Sequence, residues 1–345
     1  MKRISLITPP DAQAMRKAKE IQDNLVKPSG SLGELEEITI KLAGITGHPR
    51  NVIGKKVICL FGSDHNIYDE GVCSSPQDFT RRLMEVYAVS RNGAINILAR
   101  QAKAELKVYN LGVKNLNAHP NIITRKFLPN GTADFLHGRA MSIETVKEVI
   151  TFGIDTVRDL KAEGFSLIGT GEVGMANTSP ACACIMAALK SNDDSLVGRG
   201  AGLDDESFSR KKRVITEALR FHAESFSDSD PVKILSCVGG LDIAAMTGVF
   251  LGGAVYHVPV VVDGVISIAA ALMAYMIEPL TKEYMFASHE SAEPAYLKAA
   301  EYMKLTAPLK LSMRLGEGTG CAIMMQIIDD SLAIINGMGA ISSLM

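Results

Sequence analysis

Short apolar runs ending in polar or glycine-rich turns alternate with longer amphipathic stretches along most of this chain. Residues 56–62 (KVICLFG) form an apolar run of strand length, and the pattern predicts a buried strand with Ser63-Asp64-His65 at its carboxyl end. The same reading predicts strands at 106–113, 165–168, 231–238 and 258–264. Helices are predicted over 11–26 with Asp11 as N-cap, from Ser31 to about Ala43 with Ser31 and Glu34 at capping-box spacing, and over 78–100. Two more are predicted over 141–162 with Ser142 as cap and from Ser179-Pro180 onward. A small-residue helix follows Gly239-Gly240-Leu241-Asp242, and another follows Asp263-Gly264. Residues 44–54 read as a loop and 115–135 as irregular. Strands alternating with helices indicate an α/β fold with a largely parallel sheet. Two helices before any strand suggest a small helical part at the amino end.

Composition narrows this picture without adding chemistry. A chain of 345 residues supports one large domain, or a large and a small one. Hydrophobic residues at 47% and charged residues at 21% are a globular balance. A formal charge of -2 leaves no basic surplus to neutralise phosphates, which argues against nucleic acid as a partner. The six cysteines lie mostly inside apolar runs, and Cys182-Ala183-Cys184 is not a zinc spacing, so buried free thiols are expected. The opening residues have too short an apolar core for a signal peptide, and no unbroken run of 18 apolar residues occurs. A soluble, cytoplasmic protein without a membrane segment is the expectation.

The polar turns carry the candidate chemistry. Ligands of parallel α/β sheets bind beyond the carboxyl ends of the strands. Here Ser63-Asp64-His65, Gly169 to Gly174, Gly239 to Asp242 and Asp263-Gly264 fall at predicted strand ends. Arg314-Leu315-Gly316-Glu317-Gly318-Thr319-Gly320 sets one carboxylate among three glycines before an apolar run. Burial on such a turn can raise Glu317 toward a useful general base, although a glutamate capping the next helix fits the same residues. Gly169-Thr170-Gly171-Glu172-Val173-Gly174 satisfies G-x-G-x-x-G, with Asp193 and Asp194 about 20 residues on, so a nicotinamide dinucleotide site is a rival reading. Against it, Glu172 would place a negative charge in the pyrophosphate cradle and suits ribose hydroxyls better. Gly200-Ala201-Gly202 offers backbone donors for a phosphate, and Lys211 lies nearby in the run Arg210 to Arg213. His65 and His289 lack metal-like spacing, and no G-x-S-x-G elbow accompanies Asp64-His65.

Assembled, these motifs resemble the nicotinate-nucleotide–dimethylbenzimidazole phosphoribosyltransferase family, which activates the lower-ligand base of cobamides. The matching pieces are residues 27–33 (KPSGSLG), Asp64-His65 with Asp69 to Val72, and Gly131-Thr132-Ala133. Further matches are Gly171 to Thr178, Val238 to Asp242, Asp263-Gly264, Ser288-His289 with Ser291 to Glu293, and Arg314 to Gly320. They follow family order over residues 10 to 340. The resemblance implies a Rossmann-like sheet with helices on both faces, a small helical domain from both chain ends, and a homodimer or a heterodimer with a paralogue. The corresponding boundaries are residues 1–50, 51–285 and 286–345.

The resemblance further implies that Glu317 is the catalytic base and Glu172 a second acidic group of the site. It places substrate contacts at Ser75, Leu83, Gly174, Met175, Gly202, Lys211, Asp242, Asp263, Ser288 and Leu315, with no cofactor and no metal. The substrates would be nicotinate mononucleotide and an aromatic base. Its pyridinium leaves as a neutral ring, so the reaction needs one base and no general acid. Two departures stand out. Pro294 follows Ser291 to Glu293 where the family usually has a small residue, and Leu83 or Met84 falls where many members carry a glutamine facing the incoming base. An apolar residue there implies a broader choice of base, phenols included. A non-catalytic partner subunit, the remaining alternative, would be expected to lack Glu317.

Overall fold

A computed structural model describes residues 2–344 of the chain. Its frame is a single sheet of β1 (Lys55–Ser63), β2 (Ala104–Gly112), β3 (Ile122–Thr124), β4 (Phe165–Val173), β5 (Val260–Val262) and β6 (Met285–Ala287). The strands lie in the order β3-β2-β1-β4-β5-β6 and every neighbouring pair is parallel. This is the doubly wound order, in which the direction of winding reverses between β1 and β4 and opens a crevice at their carboxyl ends.

Alternate residues of β1 serve opposite faces, as a strand's period of two requires. Val57, Cys59 and Phe61 join the core formed by α5 (Ile143–Ala162), α6 (Thr178–Ala188), α8 (Pro231–Val238), α9 (Leu241–Tyr256) and α10 (Val265–Ile277). Ile58 and Leu60 join the other core, with α2 (Glu34–Thr46), α4 (Ala94–Gln101) and α12 (Thr319–Gly337). The two chain ends meet there. Val26 N–H donates to the Gly339 carbonyl at 2.9 Å and Ile341 N–H to the Asn24 carbonyl at 2.8 Å, beside α1 (Ala12–Asp23). The expected boundary near residue 50 falls in the loop before β1, whereas β6 straddles the one at 285.

Several elements differ from the pattern-based expectation, each for an identifiable reason. Residues 231–238 form a helix, not a strand: Pro231 opens it and the Asp230 carboxylate accepts from Val232 N–H at 2.8 Å. A short apolar run fits a buried helix as well as a buried strand, and the cap decides. No capping box forms at Ser31 and Glu34, because Gly33 is the N-cap of α2. Glu36 instead accepts from Leu32 N–H at 3.0 Å and pairs with Lys27 at 2.7 Å, both side chains buried. The predicted helix over 78–100 is interrupted. α3 (Phe79–Glu85) passes into a π-helical turn, Val86–Ser90, and α4 restarts after Gly93. Asn177, not Ser179, stands at the N-cap of α6, and α2 runs on to Thr46. β3 and β6, three residues each, are too short to register as period-two patterns.

The correction with most bearing on function concerns residues 169–174. β4 does not stop at Ile168 but continues through Gly169 to Val173, with Gly169 paired to Ile58 and Glu172 to Phe61. Gly169 and Gly171 of the G-x-G-x-x-G pattern are therefore strand residues and only Gly174 follows the strand end, so the three do not form one turn opening a helix, which removes the structural context of a dinucleotide cradle. α7 (Asp205–Phe221) completes the set around the cleft, with α11 (Pro294–Met303) beyond β6.

Candidate active site

At the β1/β4 switch point lies a cavity of about 540 Å³. Segments distant in sequence close it: Val72–Ser75 and α3 on one side, Glu172–Thr178 at the base, Arg199–Leu203 with Lys211 opposite, and Arg314–Glu317 over the top. Eight expected site residues line it, namely Ser75, Leu83, Glu172, Gly174, Met175, Lys211, Leu315 and Glu317. Gly202 lies between two lining residues at the rim, with φ +107°. Asp242, Asp263 and Ser288 are buried, outside the lining, and act on it through other groups.

Glu317 is placed by backbone rather than by packing of its own side chain. Gly316, Glu317 and Gly318 all have left-handed φ, at +83°, +63° and +85°. A non-glycine residue held there costs on the order of 1–3 kcal/mol, which the surroundings must offset. They do so from beneath. Asp263, at the end of β5, accepts from Gly318 N–H at 3.0 Å and from Gly320 N–H at 2.8 Å, anchoring the amino end of α12. The turn also rests directly on β4, where a Cβ at Gly171 would come within 2.6 Å of the Glu317 carbonyl oxygen. Only glycine permits that approach. The Glu317 carboxyl is half-buried, and burial raises it above the ordinary carboxylate range. The Tyr87 side chain, buried at the π-helical turn, partly opposes that rise.

Glu172 sits one layer deeper and is buried at the base of the cavity. Burial first, then repulsion from Asp242 and Asp263, pushes its carboxyl up to about 8. The Asn177 amide donates to Glu172 Oε2 and, at 3.2 Å, to Asp242 Oδ2, while Glu317 N–H approaches Glu172 Oε1 at 3.4 Å. Asp242 is also 3.3 Å from His65 Nε2, so residues at the ends of β1, β4 and α9 form one polar cluster. The rise at Glu172 favours the neutral acid, which can donate as well as accept.

The opposite corner of the cavity is cationic. Lys211 is buried, and its ammonium donates to Thr178 Oγ1 at 2.8 Å and to the Gly198 carbonyl at 3.0 Å. Burial lowers its pKa, and Glu293 counters that. Thr178 begins α6, so the ammonium and the positive end of the helix converge on one place. Glu293 receives the Gly200 N–H at 2.9 Å and holds the 198–202 turn in position; Arg314 donates to the Gly200 carbonyl at 3.3 Å. The rest of the basic run faces outward, Arg210 to Glu206 and Lys212 to Asp194. Phe79 and Leu83 of α3 supply the apolar wall. Met84 does not face the cavity; it is buried beneath Gly62 of β1. His289 lines the cavity and takes Ser288 Oγ at 3.0 Å.

Reading the sequence alone misses Asn177, Thr178, Glu293 and Arg314 as individual members of the site, although each stands inside a motif that signalled it. Tyr87 gives no sequence signal, since it lies in an ordinary helical stretch and reaches Glu317 through tertiary packing alone.

Fold and cleft together define a doubly wound α/β enzyme with a cationic corner and two carboxyls lining one cavity. The chain belongs to the phosphoribosyltransferase family, whose sequence profile matches residues 7–343. It is 42% identical over 331 residues to the nicotinate-nucleotide–dimethylbenzimidazole phosphoribosyltransferase of Dehalococcoides mccartyi, covering 96% of this chain and 93% of that protein. The enzyme of the same name from Clostridium perfringens is 40% identical over 328 residues, covering 95% and 90%. Among solved structures, CobT from Thermus thermophilus superposes with a TM-score of 0.90 at 31% identity, covering 96% of this chain and 98% of that one.

Proposed function

We propose that this protein transfers the phosphoribosyl group of nicotinate mononucleotide to dimethylbenzimidazole or a related aromatic base, a phenol included, releasing nicotinate and an alpha-ribotide for cobamide synthesis. The observation that carries the reading is one cavity with a buried ammonium at a helix amino end on one side and Glu317 on a strained turn at the other. The family and its relatives support the same reaction.

In this reading the phosphate lies against Lys211, Thr178 and the 200–202 turn, as a charge-assisted contact requires. The ribose spans Gly174 and Met175, above Glu172, whose protonated carboxyl can donate to a ribose hydroxyl. The aromatic base lies along Phe79 and Leu83 near Ser75 and Leu315. Chemistry occurs at the anomeric carbon. Its bond to the pyridinium nitrogen breaks, the electron pair returns to that nitrogen, and nicotinate departs with a neutral ring. The base nitrogen or phenol oxygen forms the new bond, and Glu317 accepts the proton it loses. A positioned base contributes about 10²–10⁴-fold, and alignment of two bound substrates adds to it. Asp263 and Asp242 act as positioning residues, the first through the Glu317 turn and the second through Asn177.

With no glutamine on α3 facing the base, the cavity asks for little hydrogen bonding at its apolar wall and discriminates weakly among aromatics. Purified protein with nicotinate mononucleotide, offered dimethylbenzimidazole, adenine, phenol and p-cresol in competition, should give nicotinate and ribotide in equal amounts from several bases. Strict use of benzimidazoles would remove the phenol extension. No nicotinate release from any base would overturn the reaction itself. The same reading makes the protein a cytoplasmic homodimer, which light scattering would record at twice 37.0 kDa. No helix among the described residues is long and apolar enough to cross a membrane.

A further inference from the structure

Outside the cavity, Glu70, Asp134 and His137 bring three potential ligand atoms within 4.8 Å of one another. They come from two segments. Glu70 ends the 3-10 turn Asn66–Glu70 after β1, and Asp134 and His137 lie in the loop after β3. His137 Nε2 is 3.3 Å from Glu70 Oε1 and 3.8 Å from Asp134 Oδ2. Ligands about 2.1 Å from a tetrahedral metal are separated from each other by roughly 3.4 Å, so the two separations from His137 suit one ion, and the Glu70 and Asp134 oxygens lie within 4.8 Å of each other. The charges favour it too. The Glu70 and Asp134 side chains are only 28% and 19% exposed, and neither is paired with Arg or Lys among the described ion pairs. The Asp134 carboxylate also accepts from Leu136 N–H at 2.9 Å, which fixes its direction.

We propose that Glu70, Asp134 and His137 bind a divalent transition-metal ion that clips the 66–70 turn to the 134–137 loop. One imidazole with two carboxylates and no thiolate suits Zn²⁺ or Mn²⁺ and leaves positions open for water. The ion has no part in phosphoribosyl transfer. Its effect is structural: the clipped turn runs directly into Val72–Ser75, one wall of the cavity, and its other side is tied to the second loop where Asn66 N–H meets the Thr132 carbonyl at 3.1 Å.

The test uses the full chain, freed of metal by chelator dialysis, with calorimetric titration of Zn²⁺, Mn²⁺ and Mg²⁺. One Zn²⁺ should bind per chain, more tightly than Mg²⁺, and raise the thermal midpoint. His137→Ala and Asp134→Asn should each weaken Zn²⁺ binding by about tenfold or more. Without metal, the exposed His137→Ala variant should melt with the wild type, so lost binding is not lost folding. Hydrogen exchange over residues 66–75 should slow on adding Zn²⁺ in the wild type and not in His137→Ala. Equal Zn²⁺ affinity in wild type and both variants would place the ion elsewhere and overturn the assignment. So would the absence of saturable binding, or Mg²⁺ binding as tightly as Zn²⁺, since an imidazole ligand favours zinc.

Discussion

In the proposed reaction Glu317 takes the proton and Lys211 holds the phosphate, and single substitutions separate the two roles. Glu317→Gln keeps the shape of the turn but removes the proton acceptor, so turnover should fall by about 10²-fold or more. Binding of nicotinate mononucleotide, measured by titration, should stay within about twofold. A Gln variant turning over within about threefold of wild type would take the base role from Glu317. Lys211→Ala should do the reverse and weaken the mononucleotide while leaving affinity for the free aromatic base unchanged. A charge-assisted contact of about 1.5–3 kcal/mol corresponds to about 10–100-fold in Kd. Equal affinities in both proteins would make Lys211 a structural lysine for the 198–202 turn. The sequence pointed to both residues, Glu317 by its glycines and Lys211 more weakly from a run whose other members face solvent.

At the scale of elements, β4 and the α12 turn work as a pair. The turn carries Glu317, β4 carries Glu172, and the absence of a side chain at Gly171 lets them touch. Gly171→Ala would drive a methyl group into the Glu317 carbonyl, while the buried strand around it has little room to give. The expected outcome is a drop in kcat of about tenfold or more, with KM for the mononucleotide changed far less, because the Lys211 corner lies on different elements. Thermal unfolding of the variant should remain cooperative. Unaltered kcat would show that the turn does not depend on this contact. The pattern of residues 169–174 was visible in the sequence, but its meaning was not. The same glycines fit a phosphate loop or a strand receiving another segment, and only pairing with β1 distinguishes them.

For the whole molecule, the carboxyl cluster makes stability depend on pH. Glu172 has an ordinary value near 4.5 and is raised to about 8 in the fold. Between these values the unfolded chain has lost the proton and the native one keeps it, so stability falls as pH rises through that window. Above about 8 the native group ionises too and the contribution levels off. Glu172→Gln lacks this proton. Its thermal midpoint relative to wild type should therefore rise from pH 5 to pH 8 and then flatten. A constant difference across that range would mean that Glu172 is ionised in the native state.

Local pattern was enough to specify the α/β class, most strands and helices, and the glycine-rich and basic segments from which Glu317, Glu172 and Lys211 emerged. Apolar period, capping residues such as Asp11 and Ser142, and turn chemistry all act within a few positions of the chain. The remainder came from assembly. Residues 231–238 became a helix on a capped start that an apolar run alone does not settle, and β3 and β6 exist because β2 and β5 gave them an edge to pair with. Packing made Leu83 rather than Met84 face the cavity, since Met84 fills the space over Gly62. It also brought Tyr87 to Glu317, and Glu70 to Asp134 and His137, across separations that no local pattern spans. Raised carboxyls and a buried ammonium belong to the same category, because burial is a property of the assembled fold and not of any segment.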